Sequence, residues 1–463
     1  MKNVFLSKSS YCKCLQCLKI FWLKNYKREE AVMQVNPKIF ETGKKVGIIA
    51  QDLFGEEHDD IKYNPNHRLM LEKTRKFLQN KPNIITEATF SYNNNFCMVD
   101  ILKNDEDSVE IYEVKSSTKV TDIYLDDISF QYYVLSNLGF NVKKACIVYI
   151  NNQYVRGKEL DLDEFFNIEE VTSIAIEKQE EIRNNVVNIN KFMNEHDKDN
   201  EPDISIGKQC SNPYACDFWE YCTQNLESSE LTYQTSEQNI KPIINREEIK
   251  KLMDDLKYPL YFIDYETYMD VIPEIEKTRP YQQLPFQYSL HVLKDKDGEY
   301  EHKEFLADIN DKEFIRHFAE SMISNLSENG SVIVYNQTFE GTFVNKELAR
   351  MYPNLEDEIL RINDNMVDFM VPFRSKQYYT KEMQGSYSLK AVLPALYPDD
   401  PELNYSNLTS VHDGGEASEA FINLKNKSPE KQEEIRQGLL EYCKLDTYAL
   451  VKIYEKFKEV IEE

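Results

Sequence analysis

The sequence predicts an α/β protein of two domains, and three observations predict it. Apolar residues switch between helical three-and-four spacing and strand-like alternation in both halves of the chain. The 463 residues exceed what one ordinary core organises. A polar stretch at 223–245, in which Ser and Gln are in excess, parts the two halves and is expected to be a linker. The expected partition is therefore 1–225, a linker at 226–248, and 249–463. A hydrophobic content of 41% with 12% aromatics supplies two packed cores and excludes wholesale disorder.

In chain order, 11–24 is expected to be a helix, with Leu15, Leu18, Phe21 and Trp22 as its apolar residues, and 46–53 and 67–78 are expected to be two more. The period then changes to two, which predicts strands at 84–92, 96–102 and 109–115 with a hairpin turn at 93–95. A helix at 127–138, ended near Gly139, leads to a strand at 144–150. The charged, Asn-rich segment 177–203 is expected to be a helix running into a loop. In the second half, a helix at 246–256 feeds a strand at 260–265. Further strands are expected at 286–293 and 332–335, and a long terminal helix after Ser428 and Pro429, a good N-cap and first-turn pair.

The net charge of -25 argues against a protein that coats nucleic acid by global electrostatics. Yet Lys2, Lys8, Lys13, Lys19, Lys24, Lys27 and Arg28 precede the first acid, so they form either a phosphate-facing strip or a solvated helix face. No apolar run approaches the roughly 20 residues that span a bilayer, and the N-terminus lacks the apolar block of a signal peptide. The expectation is a cytoplasmic protein with no membrane partner. Nine cysteines in that compartment suggest metal ligation or free thiols rather than disulfides.

Three segments of the second half carry chemistry. Strand alternation puts Asp264 and Glu266 on one face, where paired carboxylates can hold hard divalent cations. Tyr442 and Asp446, four apart, stack on one face of the terminal helix. Between them, an apolar strand at 332–335 runs through Asn336 into a helical start bearing Glu340. In this order the segments resemble the DnaQ-like (DEDD) exonucleases of RNase H-like fold, in the subgroup marked by Tyr-x-x-x-Asp. That resemblance implies a two-metal site with Mg2+ or Mn2+: Asp264 bridging the ions, Glu266 and Asp446 holding the one that activates water, and Tyr442 positioning that water. Glu340 would complete the set where the pattern usually has Asp, with Asn336 nearby for substrate and Asp368 as an alternative carboxylate.

In the first half, Asp100 closes one strand, and Glu113 and Lys115 share a face of the next. With Gln131 on the following helix, their order resembles the PD-(D/E)xK nucleases of the RecB-like group. Glu87 is a further candidate carboxylate; no His matches the upstream one of that group, with His67 the candidate stand-in. Cys210, Cys216 and Cys222 bring three thiols together, and Cys17 could add a fourth, with Cys12 and Cys14 as rivals. This pattern resembles the iron-sulfur staple of RecB-like nucleases and implies a 4Fe-4S cluster, with zinc as the alternative. Cys97, Cys146 and Cys443 read as core residues.

The whole chain resembles a bacterial family fusing the two nucleases, through phrases such as Glu113-Val-Lys-Ser-Ser, Gly385-Ser-Tyr-Ser-Leu-Lys and Tyr442-Cys-Lys-Leu-Asp-Thr. The implied function is metal-dependent hydrolysis of nucleic acid, DNA ahead of RNA, with 3′→5′ exonuclease action in the second domain. Two alternatives stand beside it. The first domain could be an inactive iron-sulfur module that binds nucleic acid, or the chain could be a redox-sensing scaffold without hydrolytic activity.

Overall fold

The computed structural model describes residues 4–33, 37–55, 57–79, 84–105, 107–226, 242–400, 403, 405–408 and 410–462. Lys2 and residues 227–241 of the expected linker lie outside them. The chain divides into two compact α/β units, Met1–Gln234 with Val271–Pro280, and Thr235–Asp270 with Tyr281–Glu463. The short segment Val271–Pro280 thus belongs to unit 1, although in sequence it falls among the residues expected in the second domain. Among the described residues no helix is long and apolar enough to cross a membrane.

Unit 1 begins with β1 (Leu6–Ser7), α1 (Lys8–Gln16), α2 (Leu18–Tyr26), α3 (Pro37–Ala50), β2 (Asp59–Asp60) and α4 (His67–Gln79). The expected meander follows as β3 (Ile84–Tyr92), β4 (Asn95–Asn104) and β5 (Val109–Lys115), then α5 (Asp122–Asn137) and β6 (Val142–Ile150). The unit continues with α6 (Leu162–Phe165), β7 (Phe166–Glu170), α7 (Thr172–Glu177), α8 (Gln179–Glu195) and α9 (Trp219–Thr223). The sheet runs β2-β3-β4-β5-β6-β7, with β1 parallel to the start of β4. Antiparallel pairing joins β3, β4 and β5, whereas β6 is parallel to β5, the crossover being α5. Trp22, Ile85, Val99, Ile111, Phe130 and Ile147 are among the fully buried core side chains.

The single helix expected at 11–24 is two helices. Cys17 is extended (φ -161°, ψ 122°), so it ends α1 and starts α2. Its N–H still donates to the Lys13 carbonyl at 3.0 Å, and its carbonyl accepts from Ile20 N at 3.1 Å. The apolar period continues across the break, which is why spacing alone does not reveal it.

Unit 2 comprises β8 (Ile243–Ile244), α10 (Arg246–Asp254), β9 (Leu260–Tyr268), β10 (Leu284–Leu293), β11 (Tyr300–Leu306), α11 (Phe314–Asn325) and β12 (Val332–Val334). A π-helical segment, Thr338–Asn345, leads into α12 (Lys346–Met351), α13 (Glu356–Asp364), β13 (Met366–Asp368), α14 (Val371–Arg374) and β14 (Tyr378–Tyr379). The unit closes with α15 (Leu389–Leu396), α16 (Gly414–Asn423) and α17 (Pro429–Glu462). Its main sheet runs β11-β10-β9-β12-β13, antiparallel across the first three strands and parallel across the last three. Strand β9 pairs with β12 only at Tyr261 and Phe262. Beyond that point the two strands part, and the gap opens where Asp264 and Glu266 stand.

Candidate functional site

In unit 2 the side chains of β9 alternate as expected. Tyr265 faces α11, its hydroxyl on the Met322 sulfur and its ring 5.3 Å from that of Phe318. Asp264 and Glu266 take the other face and line a cleft of about 500 Å³ with Asn336, Phe339, Tyr387, Lys390, Tyr442 and Asp446. Asn336 turns the chain out of β12 with φ 105°, a left-handed conformation that Asn tolerates better than most residues. Helix α17 brings Tyr442 and Asp446 in on one face, and the Tyr405 hydroxyl donates to Asp446 Oδ1 at 2.6 Å.

These acids resist ionisation. Burial, with Asp446, Glu266 and Glu340 adding repulsion, holds the Asp264 carboxyl well above the usual range. Burial and Asp446 do the same to Glu266, and burial lifts Asp446 to about 6 against the pull of Tyr405, Lys390 and Tyr442. The ammonium felt here, that of Lys390, donates to the His412 carbonyl at 2.7 Å and not to a carboxylate.

Glu340 stands apart from the cleft lining. It is 1% exposed on the π-helical segment; burial and Asp368 raise it to about 8, and its Oε2 has no hydrogen-bond partner. Asp368 is otherwise engaged, its Oδ1 accepting from the N–H groups of Asn336 and Met370 at 3.1 and 2.9 Å. That backbone role weakens it as an alternative ligand.

Among the described residues, one set of three groups could gather around a metal ion: ligand atoms of Asp264, Glu266 and Cys443 lie within 4.8 Å of one another. Cys443 was expected to be a core residue; it is fully buried, but it adjoins the acids. Its thiol is held protonated, pushed far up by burial and by Asp264, Glu266 and Asp446, and it donates to the Asp264 carbonyl at 3.7 Å. A hard cation here would take carboxylate oxygens in preference to this sulfur, because such ions favour oxygen ligands. Its place beside Tyr442, three residues before Asp446, is the signal that could have found it. Tyr405 and Lys390 carry no such signal, because the chain between them and α17 sets their place.

In unit 1 the predicted residues also converge. Glu113 is buried at the end of β5, and both its oxygens are taken: Lys8 Nζ lies 2.8 Å from each, Lys115 Nζ 2.6 Å from Oε1, and Gln131 Nε2 2.6 Å from Oε2. Asp127 accepts from Lys115 at 2.6 Å. Burial would raise Glu113, but Lys115 and Lys8 hold it well below the usual range. Asp100 accepts from Val114 N at 2.7 Å and is lifted to about 8 by burial and Glu113. Glu87 sits in a left-handed conformation within β3 (φ 56°), and burial, with Glu113 and Asp60, raises it to about 7. Such backbone strain, of order 1–3 kcal/mol, persists where surroundings enforce it. Asp127 was missed, although it lies one helical turn before Gln131.

His67 does not join the acids by any hydrogen bond; it stacks on Phe5 and Phe96 at 5.5 and 4.5 Å. Of the basic strip, Lys8 pairs with Glu113, Lys13 with Asp217, and Lys19 and Lys27 with Glu201, while Lys24 and Arg28 are exposed.

The third cluster is sulfur. Cys17, Cys210, Cys216 and Cys222 line one pocket with Ile20, Leu23, Ile204 and Ile206. Neither rival for the fourth position lines it: Cys12 feels Asp127, Lys115 and Lys8, and Cys14 is buried in the core. Burial raises Cys216 to about 11, with the other three thiols adding repulsion. Cys97 and Cys146 are buried.

Comparison with known proteins adds similarity without a role. Residues 261–388 match the family described as "Domain of unknown function (DUF2779)". The chain is 25% identical over 236 residues to "Uncharacterized protein UU173" of Ureaplasma parvum serovar 3, covering 46% of this chain and 33% of that protein. Over 236 residues it is 24% identical to "Uncharacterized protein MG366" of Mycoplasma genitalium, covering 46% and 34%. The chain spans about a third of the length of these curated relatives.

Proposed function

We propose that unit 2 is a DnaQ-like 3′→5′ exonuclease of RNase H-like fold, dependent on Mg2+ or Mn2+, and that its substrate is nucleic acid, DNA ahead of RNA. The observation that carries this reading is the convergence of Asp264, Glu266, Tyr442 and Asp446, from elements far apart in sequence, on one open cleft. A mixed sheet, antiparallel over its first three strands and parallel over its last three, supports the reading. The donor set fits a divalent cation, because buried carboxyls with raised pKa values and an orphaned Glu340 oxygen call for more positive charge than Lys390 supplies. Asp264, Glu266 and Asp446 would hold the metal, with Glu340 behind them. When bound, it would supply charge neutralisation at the scissile phosphate and a more acidic water.

The chain's own groups do the rest. Burial and Asp446 keep the Tyr442 hydroxyl protonated, so it remains a donor able to orient a water at the cleft. The exposed Tyr387 ring, with Phe339, offers stacking surface for an unpaired base. The test is a panel of end-labelled single- and double-stranded DNA and RNA with Mg2+ or Mn2+. Wild type should shorten at least one substrate from its 3′ end, and Asp264→Ala should lose that activity by about 10²-fold or more. Wild type that leaves every substrate whole would end this reading.

For unit 1 we propose a PD-(D/E)xK, RecB-like fold with Asp100, Glu113, Lys115 and Gln131 as its centre. The seat of Lys8 on both Glu113 oxygens favours the version in which this unit binds nucleic acid without cutting it. Retained cutting with weakened binding in Lys115→Ala would support that version; lost cutting would restore an active nuclease. The four thiols would hold a 4Fe-4S cluster. Among the described residues these sulfurs do not gather within 4.8 Å as the Asp264 set does. Four thiolates on one zinc ion, at about 2.3 Å each, would stand roughly 3.8 Å apart. A brown anaerobic preparation that turns colourless in Cys216→Ser is the expected outcome.

A further inference from the structure

We propose that Lys8 is a tethered counter-ion, its ammonium seated where a divalent cation would otherwise bridge Glu113 and Asp127, so that removing it turns the unit 1 acidic centre into a tighter metal site. This concerns which cation the acids hold, and it stands apart from whether either unit cuts nucleic acid.

Lys8 opens α1 and reaches 105 positions along the chain to sit 2.8 Å from both oxygens of Glu113, the symmetric approach that a cation takes to a carboxylate. It lies 3.5 Å from Asp127 Oδ1, beyond a good hydrogen bond, while Lys115 holds Asp127 Oδ2 and Glu113 Oε1 at 2.6 Å. Four carboxyls, Glu87, Asp100, Glu113 and Asp127, therefore face two ammoniums. Burial would lower the Lys8 pKa, but Asp127, Glu113 and Asp100 raise it well above its ordinary value, so the group stays charged.

Two further oxygens accept no hydrogen bond. Asp127 Oδ1 and Gln131 Oε1 are buried and make no hydrogen bond, although the Gln131 amide nitrogen contacts Glu113. Together with Glu113 they are oxygen donors of the kind that hard divalent cations take. In unit 2 the ammonium of Lys390 acts on Glu266 and Asp446 from a distance, its hydrogen bond going to the His412 carbonyl. The unit 1 acids thus hold side-chain ammoniums in direct hydrogen bonds, which the unit 2 acids do not among the described residues.

The test uses the full chain with Asp264→Asn to weaken the unit 2 centre, and compares it with the same chain carrying Lys8→Met or Lys8→Arg. Mn2+ binding is followed by electron paramagnetic resonance, and thermal melting is recorded with and without Mn2+ or Ca2+. Lys8→Met should bind Mn2+ at least about tenfold more tightly than its parent and should melt later when metal is added, because a ligand held only by the folded state stabilises it. Lys8→Arg, which keeps the charge, should stay close to the parent. Unchanged or weaker Mn2+ binding in Lys8→Met would overturn the proposal. So would a Lys8→Met protein that stays unfolded in Mn2+ and Ca2+ while Lys8→Arg folds, which would give Lys8 a structural role only.

Discussion

Asp264 is ringed by charge of its own sign: Asp446, Glu266 and Glu340 all oppose its ionisation, and burial opposes it more. In the metal-free protein such a group works against folding, so Asp264→Asn should raise stability by about 0.5–2 kcal/mol in EDTA while abolishing hydrolysis, the usual trade between stability and a strained site. Urea denaturation beside the cleavage assay checks both halves. The same acids set a pH slope. A carboxyl with a raised folded pKa keeps a proton that the unfolded chain has released, so its contribution to stability is full below the unfolded value and is lost as pH rises through the folded one. The window opens at about 4, the ordinary carboxyl value; within it Asp446 ionises near 6 and Glu340 and Asp100 near 8. Urea midpoints in EDTA should fall between pH 5 and pH 8, and Mg2+ or Mn2+ should restore the loss at the upper end.

At the level of elements, two glycines mark close approaches within unit 2. A Cβ on Gly330, just before β12, would lie 1.9 Å from the Pro259 carbonyl oxygen ahead of β9. Gly330→Ala should therefore destabilise unit 2 by about 1–3 kcal/mol, the range for forced overpacking, seen as a lowered melting temperature. Gly438, inside α17, leaves room for Ser410, whose Oγ lies 2.1 Å from where a Cβ would sit. The periodic elements were legible: β3 to β6, β9, β10 and α17 follow their apolar spacing. Strands β1, β2 and β13 were not, because two or three residues carry no period, and β11 reads as polar since its side chains are largely solvated. The pairs Asp264/Glu266 and Tyr442/Asp446 were legible for the same reason that β9 and α17 were. Lys8 was not, since nothing in residues 1–28 tells a paired lysine from a free one.

Over the whole molecule, the chain keeps its acid clusters in separate units, each with its own sheet and core. Because the two units have separate cores, the stability changes of Asp264→Asn and Cys216→Ser are expected to add within about 0.5 kcal/mol in the double variant, as independent sites do. Within unit 1, however, one short element touches two clusters. Helix α1 carries Lys8 at its first position and is ended by Cys17, and its nine residues form a rod roughly 13 Å long. Whatever grips the sulfur end of that rod also fixes how deeply the ammonium at the other end is seated, so loading of the thiol pocket and metal uptake by Glu113 become opposite ends of one lever. Cys17→Ser, made without touching the acids, should therefore shift Mn2+ uptake by unit 1, and a titration of that variant reads the linkage directly.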